Sequence, residues 1–216
     1  MTTTLTARAV LLDMDGTLVD STSVVERLWL EWAEPHGLDR DTVLKTVHGR
    51  QGWQSMAILL PERDHAINLE ENQRMLARES AETDGVVAIP GAADLLRSLG
   101  GIPHAIVTSA DIALMTARMG AAQLPITELA ITAERVSHSK PDPEGFLLAA
   151  SALGVDPAEC VVFEDSGAGI RAGIDAGMTV IGVGPHAPSF TPAHHVDDLT
   201  QIAIESSDEG FEIRIS

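Results

Sequence analysis

Two aspartates stand at the point where the first apolar run of the chain ends. Asp13 and Asp15 follow Ala9–Leu12 in the stretch VLLDMDGTLVDS. Residues two apart at the end of an extended strand point to the same side, so the two carboxylates would lie close together and repel each other. The spacing predicts a carboxylate site for chemistry or for a cation. A plain turn, in which the aspartates cap backbone groups, is the alternative.

A second apolar run also ends in carboxylates. Glu164 and Asp165 follow the run at 160–163. Carboxylates brought together from two strand ends need a hard cation, and Mg²⁺ suits them because it is held by a few carboxylates with substrate phosphate and water. The repetition therefore favours one shared acidic site over two unrelated turns.

Two further loops carry groups that could bind a phosphate. Thr108 and Ser109 precede a helix that begins near Asp111, where a hydroxyl either caps the helix or forms part of a phosphate cradle. Lys140 opens the segment KPDP, and only one other lysine, Lys45, occurs among the 14 basic residues. A lysine at a rigid helix entry, in a chain that otherwise uses arginine, is a candidate phosphate ligand.

The elements that must bring these loops together alternate between strand and helix. Short apolar runs predict buried strands at 9–12, 105–107, 129–131, 160–163 and 179–183. Helical patterns occur at about 91–99, 112–119, 143–153 and 167–176. The alternation predicts an α/β fold with a doubly wound parallel sheet, in which ligands bind at the carboxyl ends of the strands. Residues far apart in the sequence would meet at that edge.

The segment from 19 to 84 breaks this alternation and has helical patterns. An apolar helical face is formed by Val24, Val25, Leu28, Trp29 and Trp32. A charged face of a second helix follows at Glu70, Arg74 and Arg78. All three tryptophans lie in this segment. We expect an α-helical cap domain at 19–84 with its own core, inserted into an α/β core domain of residues 1–18 and 85–216. The acidic end from Asp197 onward is expected to be solvated.

Composition limits the partners and the location. The formal net charge is −18 at pH 7, which argues against nucleic acid and anionic lipid because both require phosphates to be neutralised over a broad surface. No window approaches the roughly 18 apolar residues that span a bilayer, and we expect no membrane partner. The single cysteine, Cys160, excludes an intrachain disulfide, and no signal-peptide pattern precedes the first strand. A cytoplasmic location is therefore expected.

Together, the four loops resemble the haloacid dehalogenase superfamily of phosphohydrolases, over nearly the whole chain. The motif DxDGT occurs as residues 13–17, the Ser/Thr motif as Thr108, the lysine motif as residues 140–143, and the acidic motif as Glu164 and Asp165. The helical segment is similar to the cap of the subgroup that contains β-phosphoglucomutase and bacterial sugar and polyol phosphatases. The resemblance implies a Rossmann-like core with an inserted cap.

The resemblance also implies roles for individual residues. Asp13 would attack phosphorus and become an aspartyl-phosphate, while Asp15 would protonate the leaving alcohol and then activate water. The metal set would be Asp13, Asp165 and the backbone carbonyl of Asp15, with Glu164 acting directly or from behind the ligands, and the cofactor would be Mg²⁺. Thr108, Ser109 and Lys140 would hold the phosphoryl oxygens. The partner would be a small phosphorylated metabolite; we expect a monomer, and a dimer stays open.

The cap segment VHGRQGW, residues 47–53, is similar to a His-Gly-Lys/Arg segment of sugar-phosphatase relatives. It implies that His48 and Arg50 close over the substrate, whereas a helix end at Gly49 with Arg50 in solvent is the alternative. The chain also departs from the family: His138 and Ser139 replace the basic residue and the glycine that often precede the motif lysine. The effect of that change on specificity stays open.

Three other functions are alternatives to hydrolysis. A phosphosugar mutase would need a histidine ten residues beyond the second aspartate, and this chain has Val25 there. A phosphonate-cleaving enzyme would need a cap lysine for a Schiff base, and Lys45 lies in a helical pattern before His48. A non-catalytic phospho-acceptor or binding protein would need neither a cap nor Asp15. A sugar or polyol phosphatase is the function that the residues favour.

Overall fold

The structure, a computed structural model, describes residues 2–207 and 210–216. The strands are β1 (Thr3–Ala7), β2 (Ala9–Leu12), β3 (Val19–Asp20), β4 (Val87–Ala88), β5 (His104–Val107), β6 (Leu129–Ile131), β7 (Cys160–Glu164), β8 (Thr179–Val183), β9 (His194–Val196), β10 (Ile202–Ser207) and β11 (Gly210–Ile215). The helices are α1 (Thr22–Ala33), α2 (Arg40–Thr46), α3 (Gly52–Leu59), α4 (His65–Ala81), α5 (Ala92–Ser98), α6 (Ile112–Ala121), α7 (Glu144–Leu153) and α8 (Gly167–Asp175).

The main sheet is parallel and has the strand order β6-β5-β2-β7-β8-β9. β2 lies in its interior, and all its residues are fully buried, which explains its continuous apolar sequence. The chain proceeds from β2 to β5 and β6 on one side and to β7, β8 and β9 on the other. The loop after β2 therefore lies where the strand order reverses, the usual ligand-binding position of such sheets. The predicted α/β fold is confirmed.

The five predicted strands correspond to β2, β5, β6, β7 and β8, and the four predicted core helices correspond to α5 through α8. β9 was not predicted because it has only three residues, and two of them are histidines. The agreement reflects strands buried on both faces, whose apolar runs stand out from the flanking turns.

The helices α1 to α4 occupy the segment between β3 and β4, as the sequence indicated. β3 and β4 pair in antiparallel register, Val19 with Ala88 and Asp20 with Val87, so the chain enters and leaves the helical segment at adjacent points. The expected separate core is wrong, because the buried apolar residues of this segment form one continuous cluster with those on one face of the sheet. The domain boundaries at 18/19 and 84/85 stay a prediction.

The prediction of a solvated tail from Asp197 onward is also wrong for the described residues. β10 and β11 pair in antiparallel register, and β11 pairs with β1, placing Thr3 opposite Ile215. Phe211 and Ile213 are buried, so these strands contribute to the core. Residues 208 and 209 lie outside the described part of the chain. In the part that is described, no helix combines the length and the apolar character needed to cross a membrane.

Candidate active site

The side chain of Lys140 lies at the centre of the site. Its Nζ donates to Asp13 Oδ1 at 2.5 Å, to Glu164 Oε1 at 2.9 Å and to the backbone carbonyl of Val107 at 2.9 Å. Lys140, Asp13 and Glu164 are all buried. The lysine therefore joins the ends of β2, β5 and β7. The fourth predicted loop supplies the ammonium group, and the other three meet around it.

Burial and charge shift the pKa values of these groups. Desolvation, together with the charges of Glu164 and Asp15, raises the pKa of Asp13 to about 8, although Lys140 opposes the shift. Burial alone would lower the pKa of Lys140, but Asp13 and Glu164 raise it above its usual value. Lys140 thus stays a cation, while burial and mutual repulsion disfavour full ionisation of the carboxylates beside it in the absence of metal.

The carboxylates of Asp13, Glu164 and Asp165 form a group that could hold a metal. One oxygen from each lies within 4.8 Å of the others. Burial, Glu164 and Asp13 raise the pKa of Asp165 well above its usual range, and among the described residues its buried Oδ1 has no hydrogen-bond partner. Three carboxylates and one ammonium leave two negative charges, so the oxygen donors and the charge both fit a hard divalent cation.

The backbone of Gly16 makes room for Asp165. A Cβ at Gly16 would lie 2.0 Å from Asp165 Oδ2, and the φ of Gly16 is +82°. Glycine alone tolerates both the close approach and the left-handed backbone. The glycine of the first motif is thus required for the carboxylates of β2 and β7 to meet.

Glu164 is fully engaged by its neighbours. Oε1 accepts from Lys140, and Oε2 accepts from the Ser166 backbone N at 2.6 Å and from its hydroxyl at 3.0 Å. A Cβ at Gly169 would overlap the Glu164 carboxylate. The glycine-rich start of α8 therefore packs against Glu164 and holds it in place.

Asp15 is more exposed than Asp13 and has different partners. Its Oδ1 accepts from Ser21 Oγ at 2.7 Å, and its Oδ2 accepts from Arg118 Nη1 at 2.7 Å. The side chain is 29% exposed, compared with 8% for Asp13. Both aspartates line the cavity, but Asp15 is the more exposed of the two and Asp13 lies next to Lys140.

Thr108 and Ser109 line the same cavity as Asp13 and Asp15. Thr108 Oγ1 accepts from the Ala110 backbone N at 3.0 Å, which leaves its own O–H free to donate. Ser109 Oγ lies 3.3 Å from the backbone carbonyl of Gly49 and 3.2 Å from Ser139 Oγ. The two hydroxyls therefore belong to the site, and Ser109 also contacts the helical segment.

The loop that carries His48 and Arg50 forms part of the cavity wall. Both residues line it, and partial desolvation lowers the pKa of His48. Within the described chain, the buried Nε of Arg50 has no hydrogen-bond partner. Gly49, at φ +78°, packs so closely on Ser166 that a Cβ would lie 2.1 Å from its hydroxyl. The alternative that Arg50 lies in solvent is therefore not what the structure shows.

Comparisons with known proteins agree with this geometry. The family model for haloacid dehalogenase-like hydrolases matches residues 7–177. Hexitol phosphatase A of Escherichia coli (strain K12) is 44% identical over 197 residues, covering 90% of this chain and 90% of its own. The chain belongs to the haloacid dehalogenase-like hydrolase family. Validoxylamine A 7′-phosphate phosphatase of Streptomyces hygroscopicus subsp. limoneus is 36% identical, covering 82% of this chain and 85% of its own.

A solved structure has the same fold. The putative haloacid dehalogenase-like hydrolase of Bacteroides fragilis superposes with a TM-score of 0.77 at 25% identity, covering 90% of this chain and 99% of its own. The arrangement of strands and helices is therefore that of the family over most of the chain.

In this haloacid dehalogenase-like hydrolase, sequence reasoning missed several residues of the cavity wall. Ser21, Asn72, Glu79 and Arg118 all line the cavity. In the sequence, Arg118 does not differ from other charged residues near the end of a helix. Glu79 does not stand out either, because its helix contains several glutamates. The available signal was weak: Arg118 stands four residues after Leu114, on the buried face of α6.

Proposed function

We propose that the protein hydrolyses the phosphate monoester of a small sugar or polyol. The observation that carries the proposal is the position of Lys140, which binds Asp13 and Glu164 beneath a cavity lined by Asp15 and Thr108. The cavity collects phosphate-binding and proton-transferring groups, and the named relatives at 36% and 44% identity are both phosphatases. Hexitol phosphates are the first substrates to test, because the 44% identical relative is named for that class.

We propose Asp13 as the nucleophile. One carboxylate oxygen would bond to phosphorus as the phosphorus–oxygen bond to the sugar breaks, leaving an aspartyl-phosphate. Lys140 neutralises charge beside that oxygen, while Thr108 and Ser109 would donate hydrogen bonds to the phosphoryl oxygens. Phosphoryl transfer depends mainly on positioning and charge neutralisation, and this set supplies both.

Asp15 would transfer protons in both steps. It would give its proton to the leaving alcohol oxygen in the first displacement. It would then take a proton from the water that attacks the aspartyl-phosphate, which releases inorganic phosphate and regenerates both aspartates. Its exposure to the cavity supports this role, because the leaving group and the water must both reach it.

The acidic group is the proposed site for Mg²⁺. Asp13, Asp165 and the backbone carbonyl of Asp15 would hold the ion, and it would supply positive charge beside the phosphoryl oxygens. Glu164 would act from behind these ligands, because both its oxygens are engaged by Lys140 and Ser166. Its role would be to orient the lysine and the start of α8.

His48 and Arg50 would contact the part of the substrate beyond the phosphate. Their loop faces the sheet edge across the cavity, so they can select a substrate without taking part in the displacement. We further propose that the protein acts as a monomer in the cytoplasm. In support, one chain supplies all the proposed groups, and Cys160 is a buried thiol whose pKa is raised to about 11 by burial.

The test is a screen of phosphate release with and without Mg²⁺. The panel comprises hexitol phosphates, hexose phosphates and glycerol phosphate, and a chelator followed by added Mg²⁺ should abolish and then restore turnover. Full activity of metal-stripped protein in chelator would refute the metal assignment. Incubation with β-glucose 1-phosphate and a trace of the bisphosphate separates hydrolase from mutase: accumulation of glucose 6-phosphate would overturn the proposal, whereas Val25 leads us to expect none.

A further inference from the structure

Arg118 connects the predicted acid/base residue to the helical segment. Nη1 donates to Asp15 Oδ2 at 2.7 Å, and Nη2 donates to Glu79 Oε2 at 2.8 Å. The guanidinium is contributed by α6 of the α/β core, whereas Glu79 lies on α4. Arg118 is 3% exposed and Glu79 is 7% exposed. One buried cation is thus shared between a carboxylate of the first loop and a carboxylate of the helical segment.

This contact fixes the plane of the Asp15 carboxylate. Ser21 holds Oδ1 and Arg118 holds Oδ2, so each oxygen has one defined donor. A guanidinium presents its donors in a rigid planar fork and stays charged when buried. The direction in which Nη1 approaches Asp15 is therefore set by the partner that Nη2 binds, and that partner is Glu79.

The arrangement makes the position of Asp15 depend on α4. While Glu79 holds the second arm of the fork, Arg118 is fixed and so is Asp15. If α4 moves away with the rest of the helical segment, Arg118 loses one of its two carboxylates and can rotate about its remaining bond. Proton transfer needs a carboxylate held at a defined distance from the reacting oxygen, so the two states differ in catalytic competence.

We propose that Arg118 is the positioning residue of Asp15. Because Glu79 fixes Arg118, Asp15 would be held in position only while α4 packs against α6. The inference rests on the proposed function, because it assigns to Asp15 the proton transfers described above. Arg118 would act through Asp15, because its side-chain hydrogen bonds within the described residues go to Asp15 and Glu79.

The test compares Arg118→Met in two backgrounds, the unaltered chain and Asp15→Asn. With nitrophenyl phosphate the first displacement needs little acid assistance, so loss of the base shows in the breakdown of the aspartyl-phosphate. In the unaltered background we expect Arg118→Met to slow that breakdown by about tenfold or more, and intact-protein mass spectrometry after an acid quench should find the phosphoryl adduct accumulating. In the Asp15→Asn background the same substitution should change the breakdown rate less than about twofold, because the residue it positions is already inactive.

Further variants separate positioning from folding. Arg118→Met leaves the Glu79 carboxylate buried without its cation. The double variant Arg118→Met/Glu79→Met removes that unpaired charge. It should show the same accumulation of the phosphoryl adduct. Glu79→Gln keeps Arg118 and should give a smaller slowing that also disappears in Asp15→Asn. Arg118→Lys can reach only one of the two carboxylates and should restore part of the rate. Arg171→Met, which removes an exposed i,i+4 pair with Asp175, is the control and should change nothing.

Three outcomes would overturn the inference, and they are distinguishable. If Arg118→Met slows adduct breakdown equally in both backgrounds, Arg118 acts independently of Asp15 and the positioning role is wrong. If Asp15→Asn itself accumulates no adduct, the proton-transfer role of Asp15 fails and the inference fails with it. A lower melting temperature with an unchanged adduct fraction would show that Arg118 and Glu79 form only a structural ion pair.

Discussion

Asp13 and Asp15 are two residues apart but lie in different environments. Asp13 is buried against Lys140, and its pKa is raised to about 8 by burial first and by neighbouring carboxylates second. Asp15 faces the cavity and is held by a hydroxyl and a guanidinium. The buried residue is suited to bond to phosphorus, and the exposed one is suited to exchange protons with the leaving group and with water.

The first prediction separates these roles by substitution. Asp13→Asn should abolish turnover, because the amide is isosteric but a poor nucleophile. Asp15→Asn should still form the aspartyl-phosphate from nitrophenyl phosphate, but it should lose the base that activates water. Mass spectrometry after an acid quench should therefore find an adduct on Asp13 in Asp15→Asn and no adduct in Asp13→Asn.

Circular dichroism of both variants serves as the folding control, since each substitution preserves the shape of the side chain. An adduct mapped to Asp15, or substantial turnover by Asp13→Asn, would reverse the assignment of nucleophile and acid/base.

The sequence could predict those site residues whose position follows a strand end. Asp13, Thr108 and Glu164 each follow an apolar run, and a parallel sheet brings such ends to one edge. Arg118 could not be predicted this way, because its partners Asp15 and Glu79 lie 103 and 39 residues away, and Glu79 reaches it only through the packing of α4 on α6. The local pattern gives only a weak signal, since Arg118 stands four residues after Leu114 on the buried face of α6.

At the scale of elements, the loop between α2 and α3 determines whether the cavity closes. Gly49 contacts Ser166 at the start of α8, and its carbonyl lies within hydrogen-bond distance of Ser109. A methyl group at Gly49 would collide with Ser166, so the loop could not pack on the core as it does here. The proposed position of His48 and Arg50 over the substrate would depend on this close approach.

The second prediction is that Gly49→Ala lowers kcat/KM for a hexitol phosphate by about tenfold or more, since small displacements of positioning groups are costly. Gly37→Ala is the matched control, because Gly37 also has a positive φ, +64°, but a Cβ there meets nothing within 4 Å. Both variants should lose about 1 kcal/mol of folding free energy to backbone strain. Steady-state kinetics and thermal unfolding distinguish the effects, and equal kinetic losses in the two variants would disprove the closure argument.

The small antiparallel sheet of β1, β11 and β10 is one of the elements that the sequence did not predict. β11 alternates buried and exposed residues, with Phe211, Ile213 and Ile215 on the buried side. This period-two pattern covers only six residues within an acidic segment, and its burial depends on pairing with β1 at the other end of the chain. A short strand with alternating buried and exposed residues cannot be told from a solvated tail by its sequence when the strand that pairs with it is distant in the chain.

The third prediction tests whether these strands belong to the core. Phe211→Ala should lower the free energy of unfolding by about 3–5 kcal/mol, because Phe211 is 2% exposed and packs in the main apolar cluster. Phe190→Ala makes the same chemical change at a residue that is 42% exposed and should cost about 1 kcal/mol or less. Denaturant unfolding measures both values; a small loss at Phe211 would show that the strands are peripheral.

At the scale of the whole molecule, the acidic site couples metal binding to pH. The chain carries a formal charge of −18, and the site concentrates three of its carboxylates around one lysine. Without a metal, part of this charge is neutralised by a proton on the carboxylate group, as the raised pKa values of Asp13 and Asp165 indicate. A divalent cation and that proton should therefore compete for the same oxygens.

The sign of the effect on stability follows from the direction of the shift. Asp13 in the metal-free native state has a pKa of about 8, above its usual value of 3.8, so the native protein holds a proton that the unfolded chain has released. Stability is then greatest below the unfolded pKa and falls as the pH rises toward the folded one. The lowered pKa of His48 acts in the opposite direction but only near and below its usual value of 6.5, so the window from pH 7 to 8 isolates the carboxylates.

The fourth prediction is that metal-free protein loses stability between pH 7 and 8, by on the order of 1 kcal/mol per pH unit, and that saturating Mg²⁺ removes this slope. Titration calorimetry at pH 7, in buffers of different ionisation enthalpy, should show that Mg²⁺ binding releases close to one proton. At pH 9 the release should vanish and the affinity should be higher, because the competing proton is gone. Asp13→Asn removes one of the two carboxyl groups whose pKa is raised and should reduce the proton release at pH 7, whereas an unchanged release would assign the proton to Asp165. Equal affinity at both pH values without proton release would mean that Asp13 is already ionised beside Lys140, and the pairing with the lysine would then outweigh burial.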